Sequence, residues 1–142
     1  MQEPLYISVI DVIPAAMQKQ LSELAGKQQV AWALESQLNL LNSALPRIQN
    51  PNYTLPGFND EENALLRKDR YAAQLAQIKL FEITHARASA EAQDAEAIVL
   101  RAKGETDEAA RLLQRAADLR NSIPAMEAQL SALRDEAAEI HA

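Results

Sequence analysis

The chain has 142 residues, of which 48% are hydrophobic and only 4% aromatic, with three glycines and no cysteine. This length suits one domain with its own core, and a composition rich in Ala, Leu, Glu, Gln and Arg is typical of helical bundles and coiled coils. The formal net charge of −6 argues against nucleic acid as the main partner, because phosphate binding needs a basic face. Without cysteine, neither disulfides nor thiolate chemistry can contribute.

The sequence gives no sign of a membrane or secreted protein. No stretch approaches the roughly 20 apolar residues that a membrane helix needs, and the first residues lack the basic region of a secretory signal. We therefore expect no membrane partner, and a location in the cytoplasm or in a particle assembled there.

Residues 1–13 are predicted to form an extended N-terminal arm. The segment from Leu5 to Ile13 is β-branched and aromatic, unlike the rest of the chain, and we take Tyr6, Ile7 and Val9 as its candidate contact residues. A single strand is not stable alone. It either docks on the protein's own helices or adds a strand to another molecule.

Residues 14–45 are predicted to form helix 1, with proline at its first position. One apolar row repeats every seven residues, with leucines 21, 34 and 41 beside it: Met17, Leu24, Ala31, Leu38 and Leu45. A second, weaker row consists of Val30, Ala33, Leu40 and Ala44. Two apolar rows indicate contact with more than one neighbour. The neighbouring Trp32 is either a core residue or an interface anchor.

A loop rich in Pro and Asn is predicted over residues 46–59, followed by helix 2 over 60–103. Asn59 and Glu62 have the spacing of a capping box at the start of that helix. The first half of helix 2 is apolar without a single stripe, which favours the centre of a bundle. Its second half is rich in alanine, which allows close helix approach but buries little area per residue.

Residues 105–141 are predicted to form helix 3. Gly104, with Thr106 as the expected cap of the next helix and two acids after it, favours a turn between helices 2 and 3, although the apolar pattern stays in phase across the glycine and leaves one continuous helix as an alternative. Pro124 predicts a kink or a short break near residues 121–124.

Helix 3 carries the strongest pattern in the chain, an apolar seam that steps by four and three residues without a miss. Its members are Leu112, Ala116, Leu119, Ile123, Met126, Leu130, Leu133, Ala137 and Ile140. These positions lie along one side of a helix. Such a seam requires another helix, in the same chain or in a copy of it. With Trp32 and the arm residues, the large side chains of the seam are our candidate interaction residues.

Residues 104–119 resemble the second helix of a tetratricopeptide repeat, with Gly104, Ala109 and Ala116 at the family's positions. The resemblance covers about half of one repeat and implies an adaptor or chaperone that binds a peptide. The preceding segment departs from the family, with Gln93 in place of an aromatic and Glu96 in place of leucine. No second 34-residue copy is present, and such arrays need about three repeats.

Catalytic signals are scarce. Glu82 and His85 form one Glu-x-x-His pair, whereas di-iron bundles use two such pairs and two more carboxylates. No hydrolase elbow or phosphate-binding loop is visible. We expect no cofactor, no resident metal and no enzymatic activity, with a metal-dependent bundle enzyme as an alternative.

The sequence therefore predicts an all-α fold, an elongated antiparallel bundle of three to four helices with an extended N-terminal arm. It favours a structural or assembly protein that binds copies of itself or other proteins through helix–helix contacts. Tailed-phage particles contain small proteins of this style, and that analogy is the basis for considering a virion component.

Overall fold

The computed structural model of the protein describes residues 15–50 and 54–140. These residues form three long helices and no strand, which confirms the all-α class. Helix α1 spans Ala15–Gln49, α2 spans Asp60–Ala102 and α3 spans Thr106–Ile140. The predicted arm over residues 1–13, with Tyr6, Ile7 and Val9, lies outside the described residues.

The helices form one layer in which α2 lies between α1 and α3. Helix α2 packs against both of the others, whereas no Cα atom of α1 lies within 8 Å of one in α3. Helices α1 and α2 run antiparallel, since Lys27 pairs with Glu91 and the backbone of Leu41 lies beside Gln74. Helices α2 and α3 do so too, since Arg87 pairs with Glu127 and Asp94 with Arg120. With 43 residues, α2 is about 64 Å long, so the molecule is elongated.

Helix α2 has two rows of covered residues on nearly opposite sides, each with alternating steps of three and four. The row facing α1 consists of Gln74, Ile78, Phe81, His85, Ala88, Ala92, Ala95 and Val99. The row facing α3 consists of Ala76, Lys79, Ile83, Ala86, Ala90, Gln93, Ala97 and Leu100. All are buried or half-buried. Two rows on one helix explain why its sequence shows no single stripe.

Helix α1 has one such row and is covered much less completely. Its half-buried residues at steps of three and four, the α2-facing row, are Met17, Gln20, Leu24, Lys27, Ala31, Leu34, Leu38, Leu41, Leu45 and Ile48. No residue of α1 is buried. Leu21, expected beside the main row, is exposed, and Gln20 occupies the seam position instead.

A turn separates α2 from α3. Gly104 has a φ of +84°, a left-handed conformation that glycine adopts without steric cost, and the N–H of Glu105 donates to the carbonyl of Leu100 at 2.9 Å. Helix α3 begins at Thr106 itself, so this threonine is the first helical residue and not the cap.

The start of α2 has the capping box that the sequence predicts. The N–H of Glu62 donates to Oδ1 of Asn59 at 2.8 Å, and the N–H of Asn59 donates to Oε1 of Glu62 at 3.2 Å. Asn63, a buried polar residue, ties the preceding loop to this helix: its Nδ2 donates to the carbonyl of Phe58 at 3.1 Å and its Oδ1 accepts from the N–H of Leu55 at 2.9 Å.

Both prolines that were expected to limit helices lie inside them. Helix α1 continues through Pro46 to Gln49, so the predicted end at residue 45 is wrong. Proline has no N–H to donate, but this costs little free energy in the last turn of a helix, because the carbonyl that lacks a donor there can hydrogen bond to water.

Helix α3 runs unbroken through Pro124, so a break near residues 121–124 is also wrong. A proline inside a helix costs about 3 kcal/mol. Ile123 and Leu130 are buried on either side of it, and burial of such side chains gives about 1.5–3 kcal/mol each. Packing against α2 therefore outweighs the cost of the proline.

Candidate interaction surfaces

The seam of α3 lies against α2 of the same chain. Leu112, Ile123 and Leu130 are buried, and Leu119, Met126 and Leu133 are half-buried. The side chain of Ile140 lies outside the described residues. Of the two partners that the pattern allowed, a helix of the same chain is the one present, so the described residues of this seam are buried or half-buried against α2.

Two apolar clusters hold α3 on α2. In one, Ile83 and Ala86 pack against Ile123 and Leu130, with Ala76 and Met126 at its edge. In the other, near the turn, Ala97 packs against Ala109 and Leu112. Ala90 and Ala116 are fully buried at 0% exposure. Small side chains at these positions allow the helices to approach closely.

Ion pairs flank the contact between α2 and α3. Nη2 of Arg87 lies 2.9 Å from Oε1 of Glu127, and Arg120 donates to the carboxylate of Asp94. That hydrogen bond raises the pKa of the Arg120 guanidinium above its ordinary value. Because the pKa of Arg120 is raised in the folded protein, its ion pair stabilises the fold at every pH below the ordinary pKa of arginine, and this stabilisation is lost only as the pH rises through the folded pKa. Near neutral pH, Arg120 therefore adds no pH dependence to the stability of the protein.

The contact between α1 and α2 is more polar and more open. Nζ of Lys27 lies 3.6 Å from Oε2 of Glu91, and Nε2 of Gln74 donates to the carbonyl of Leu41 at 3.0 Å. Oε1 of Gln20 is buried in this contact, and no described residue donates to it. A buried acceptor without a donor destabilises the contact.

Outside its α2-facing row, α1 keeps large apolar side chains exposed. Trp32 is 67% exposed, Leu40 66% and Val30 55%. The core position considered for Trp32 is therefore wrong, and its ring is free to act as an interface anchor. Val30 and Leu40 belong to the second apolar row of the sequence.

Sequence reasoning missed Leu80, which lies on the open side of α2 at 39% exposure. Its row steps through Gln77, Leu80, Thr84, Arg87 and Glu91. The polar residues of this row were the signal in the sequence that could have identified Leu80 as exposed, because they show that α2 keeps one side uncovered.

The geometry gives no support to the metal site considered for Glu82 and His85. Nζ of Lys79 lies 2.8 Å from Oε2 of Glu82, and Nε2 of His85 lies 3.3 Å from Oγ of Ser89. Among the described residues, no three His, Cys, Asp or Glu side chains are grouped to hold a metal ion.

The α2–α3 hairpin differs from a tetratricopeptide repeat in scale. Ala109 and Ala116 are buried between the helices, as the resemblance implies. However, the two helices have 43 and 35 residues, whereas a whole repeat with both its helices takes about 34 residues. The alanines therefore serve close packing in one long hairpin, and the peptide-binding alternative gains no support from them.

None of the helices in residues 15–50 and 54–140 is long and apolar enough to cross a bilayer. No protein-family model, curated protein or solved structure matches the chain.

Proposed function

We propose that this protein is a non-enzymatic structural component that acts through helix–helix contacts and assembles with copies of itself. The observation that carries the proposal is the contrast between α2 and α1. Both covered rows of α2 have a helix against them, whereas no described helix lies against the second apolar row of α1. Trp32, on another side of α1, is also exposed.

The spacing of the second row is what gives this exposure its weight. Scattered apolar residues on a surface are ordinary. Here Val30, Ala33, Leu40 and Ala44 step by three, seven and four residues, so they lie along one side of α1, and an apolar row of this kind packs against another helix. The row therefore favours a helical partner over a small ligand.

The shape of the molecule supports the same function. A layer one helix thick buries each outer helix on one side only, and α1 has no buried residue at all. Such an outer helix buries its remaining apolar side chains only when a further helix packs against it. Assembly supplies that neighbour, and symmetric association of identical chains is the commonest way to obtain it.

Multi-angle light scattering over a wide concentration range tests the proposal. We expect the mass to rise from that of the 15.7 kDa chain to at least twice this value as concentration increases. A protein that stays monomeric at the highest soluble concentration would contradict it. The setting in a virion-type particle stays a prediction, since no feature of the described helices bears on it.

A further inference from the structure

The contact between α1 and α2 is less completely buried than the contact between α2 and α3. No residue of α1 is buried, whereas five described residues of α3 are: Ala109, Leu112, Ala116, Ile123 and Leu130. Burial of apolar side chains is the main source of free energy for helix packing. Of the two outer helices, α1 is therefore the one that is held less strongly.

The polar residues of the two contacts add to this difference. Each covered row of α2 has two polar members, and each contact contains a buried side-chain oxygen to which no described residue donates, that of Gln20 or that of Gln93. The difference lies on the outer helices. The described residues of the α3 seam are all apolar, whereas Gln20 and Lys27 occupy positions in the α2-facing row of α1, where they bury less apolar surface than leucines would.

The connections between the helices also differ. Three residues connect α2 to α3, and the N–H of Glu105 donates to the carbonyl of Leu100 across that turn at 2.9 Å. Ten residues connect α1 to α2, and two of them, Leu55 and Phe58, are bound to Asn63 of α2. A longer connection leaves a separated helix more conformational freedom. Because Asn63 holds the end of the loop, α1 can separate without disturbing the start of α2.

The α2–α3 hairpin is complete without α1. Its two apolar clusters consist of residues from α2 and α3, with none from α1. The ion pairs of Arg87 with Glu127 and of Asp94 with Arg120 also lie within the hairpin. Separation of α1 therefore breaks none of these contacts.

Helix α1 covers an apolar row of α2 that extends over more than half of that helix. The row that faces α1 runs from Gln74 to Val99, a distance of about 38 Å. Its buried members are Ile78, Ala92, Ala95 and Val99. Because α3 packs on the nearly opposite side of α2, separation of α1 exposes this row to solvent.

We propose that α1 is a lid, which separates from α2 as one unit while the α2–α3 hairpin stays folded and thereby exposes the α1-facing row of α2. The equilibrium between the closed and open forms then controls access to that row. Proteins open in cooperative units of this kind, and units with few buried apolar contacts open most readily. The inference goes beyond the proposed function, since it concerns contacts within one chain.

Two matched substitutions in α2, one in each covered row, test the inference. Ile78→Val and Ile83→Val remove the same methylene from residues that are 5% and 3% exposed, but Ile78 faces α1 and Ile83 packs against α3. Both changes are small enough to preserve the fold. Native-state hydrogen exchange followed by mass spectrometry measures the opening of each helix. Peptides from residues 27–41 of α1 and 112–130 of α3 exclude the fraying ends.

In the wild-type protein, the α1 peptides should exchange at least about tenfold faster than the α3 peptides, because separation of α1 needs less free energy than unfolding of the whole chain. Ile78→Val should accelerate exchange about fivefold in both helices, since both processes break the contact of α1 with α2. Ile83→Val should accelerate α3 by a similar factor and leave α1 unchanged, because the hairpin stays folded while α1 is open.

Other patterns of exchange would overturn the inference. If α1 exchanges as slowly as α3, or more slowly, α1 does not open before the rest of the molecule. If Ile83→Val also accelerates α1, the hairpin unfolds when α1 separates. If α1 exchanges faster than α3 but Ile78→Val leaves its rate unchanged, the exchange comes from local fluctuations within α1 and not from separation of α1 from α2.

Discussion

Replacement of Leu130 by alanine tests whether the seam of α3 is the main source of stability in this chain. Leu130 is 6% exposed and packs in the cluster with Ile83 and Ile123. The substitution removes three carbon atoms, at about 0.8 kcal/mol for each methylene transferred from water. A residual cavity adds to this loss.

We expect Leu130→Ala to lower the free energy of unfolding by about 3 kcal/mol, near the lower end of values for buried leucine, because the thin layer can collapse into part of the cavity. The control is Leu65→Ala, the same chemical change at a residue that is 53% exposed in α2. That change should cost less than about 0.5 kcal/mol.

Urea denaturation followed by far-ultraviolet circular dichroism measures both values. With a slope of about 2 kcal/mol per molar urea, the Leu130→Ala midpoint should fall by about 1.5 M and the Leu65→Ala midpoint by less than about 0.3 M. Equal losses for the two variants, or a loss under about 1 kcal/mol for Leu130→Ala, would refute the packing of α3 on α2 described above.

Three further changes test individual contacts. Gln20→Leu should raise the free energy of unfolding by about 1 kcal/mol in urea titrations, because it replaces a buried oxygen that lacks a donor; a loss of stability would show that the oxygen has a partner. Asn63→Ala should lower it by about 2–3 kcal/mol, since the N–H of Leu55 and the carbonyl of Phe58 lose their side-chain partner, and an unchanged thermal midpoint would contradict this. A double-mutant cycle on Asp94 and Arg120 should give a coupling of about 1 kcal/mol or less, because both side chains are partly exposed; a coupling above about 2 kcal/mol would be inconsistent with that exposure.

The helical elements followed from local chemistry, and local chemistry is written in the sequence. The capping box of Asn59 and Glu62 fixes the start of α2, since it depends on two residues three positions apart. Gly104 marks the turn because few other residues adopt its left-handed conformation. The seam of α3 was visible because burial along a helix repeats at a fixed spacing.

The predictions from sequence were wrong where tertiary packing outweighs the local conformational preference of a residue. Pro124 is unfavourable inside a helix, but the buried side chains on either side of it hold the helix together. Trp32 could not be placed from its spacing, because it lies beside the α2-facing row and spacing alone does not show how many neighbours a helix has.

The sequence by itself determined that this chain forms long helices with apolar rows, because the period of the rows and the capping residues depend only on near neighbours. The tertiary structure decided which apolar row packs against which helix. It placed α2 between the other helices, covered the seam of α3 with α2 and left Val30 and Leu40 of α1 exposed. The physical reason is that an apolar row gains nearly the same free energy from any complementary helix, so only the packed arrangement of all three selects its partner.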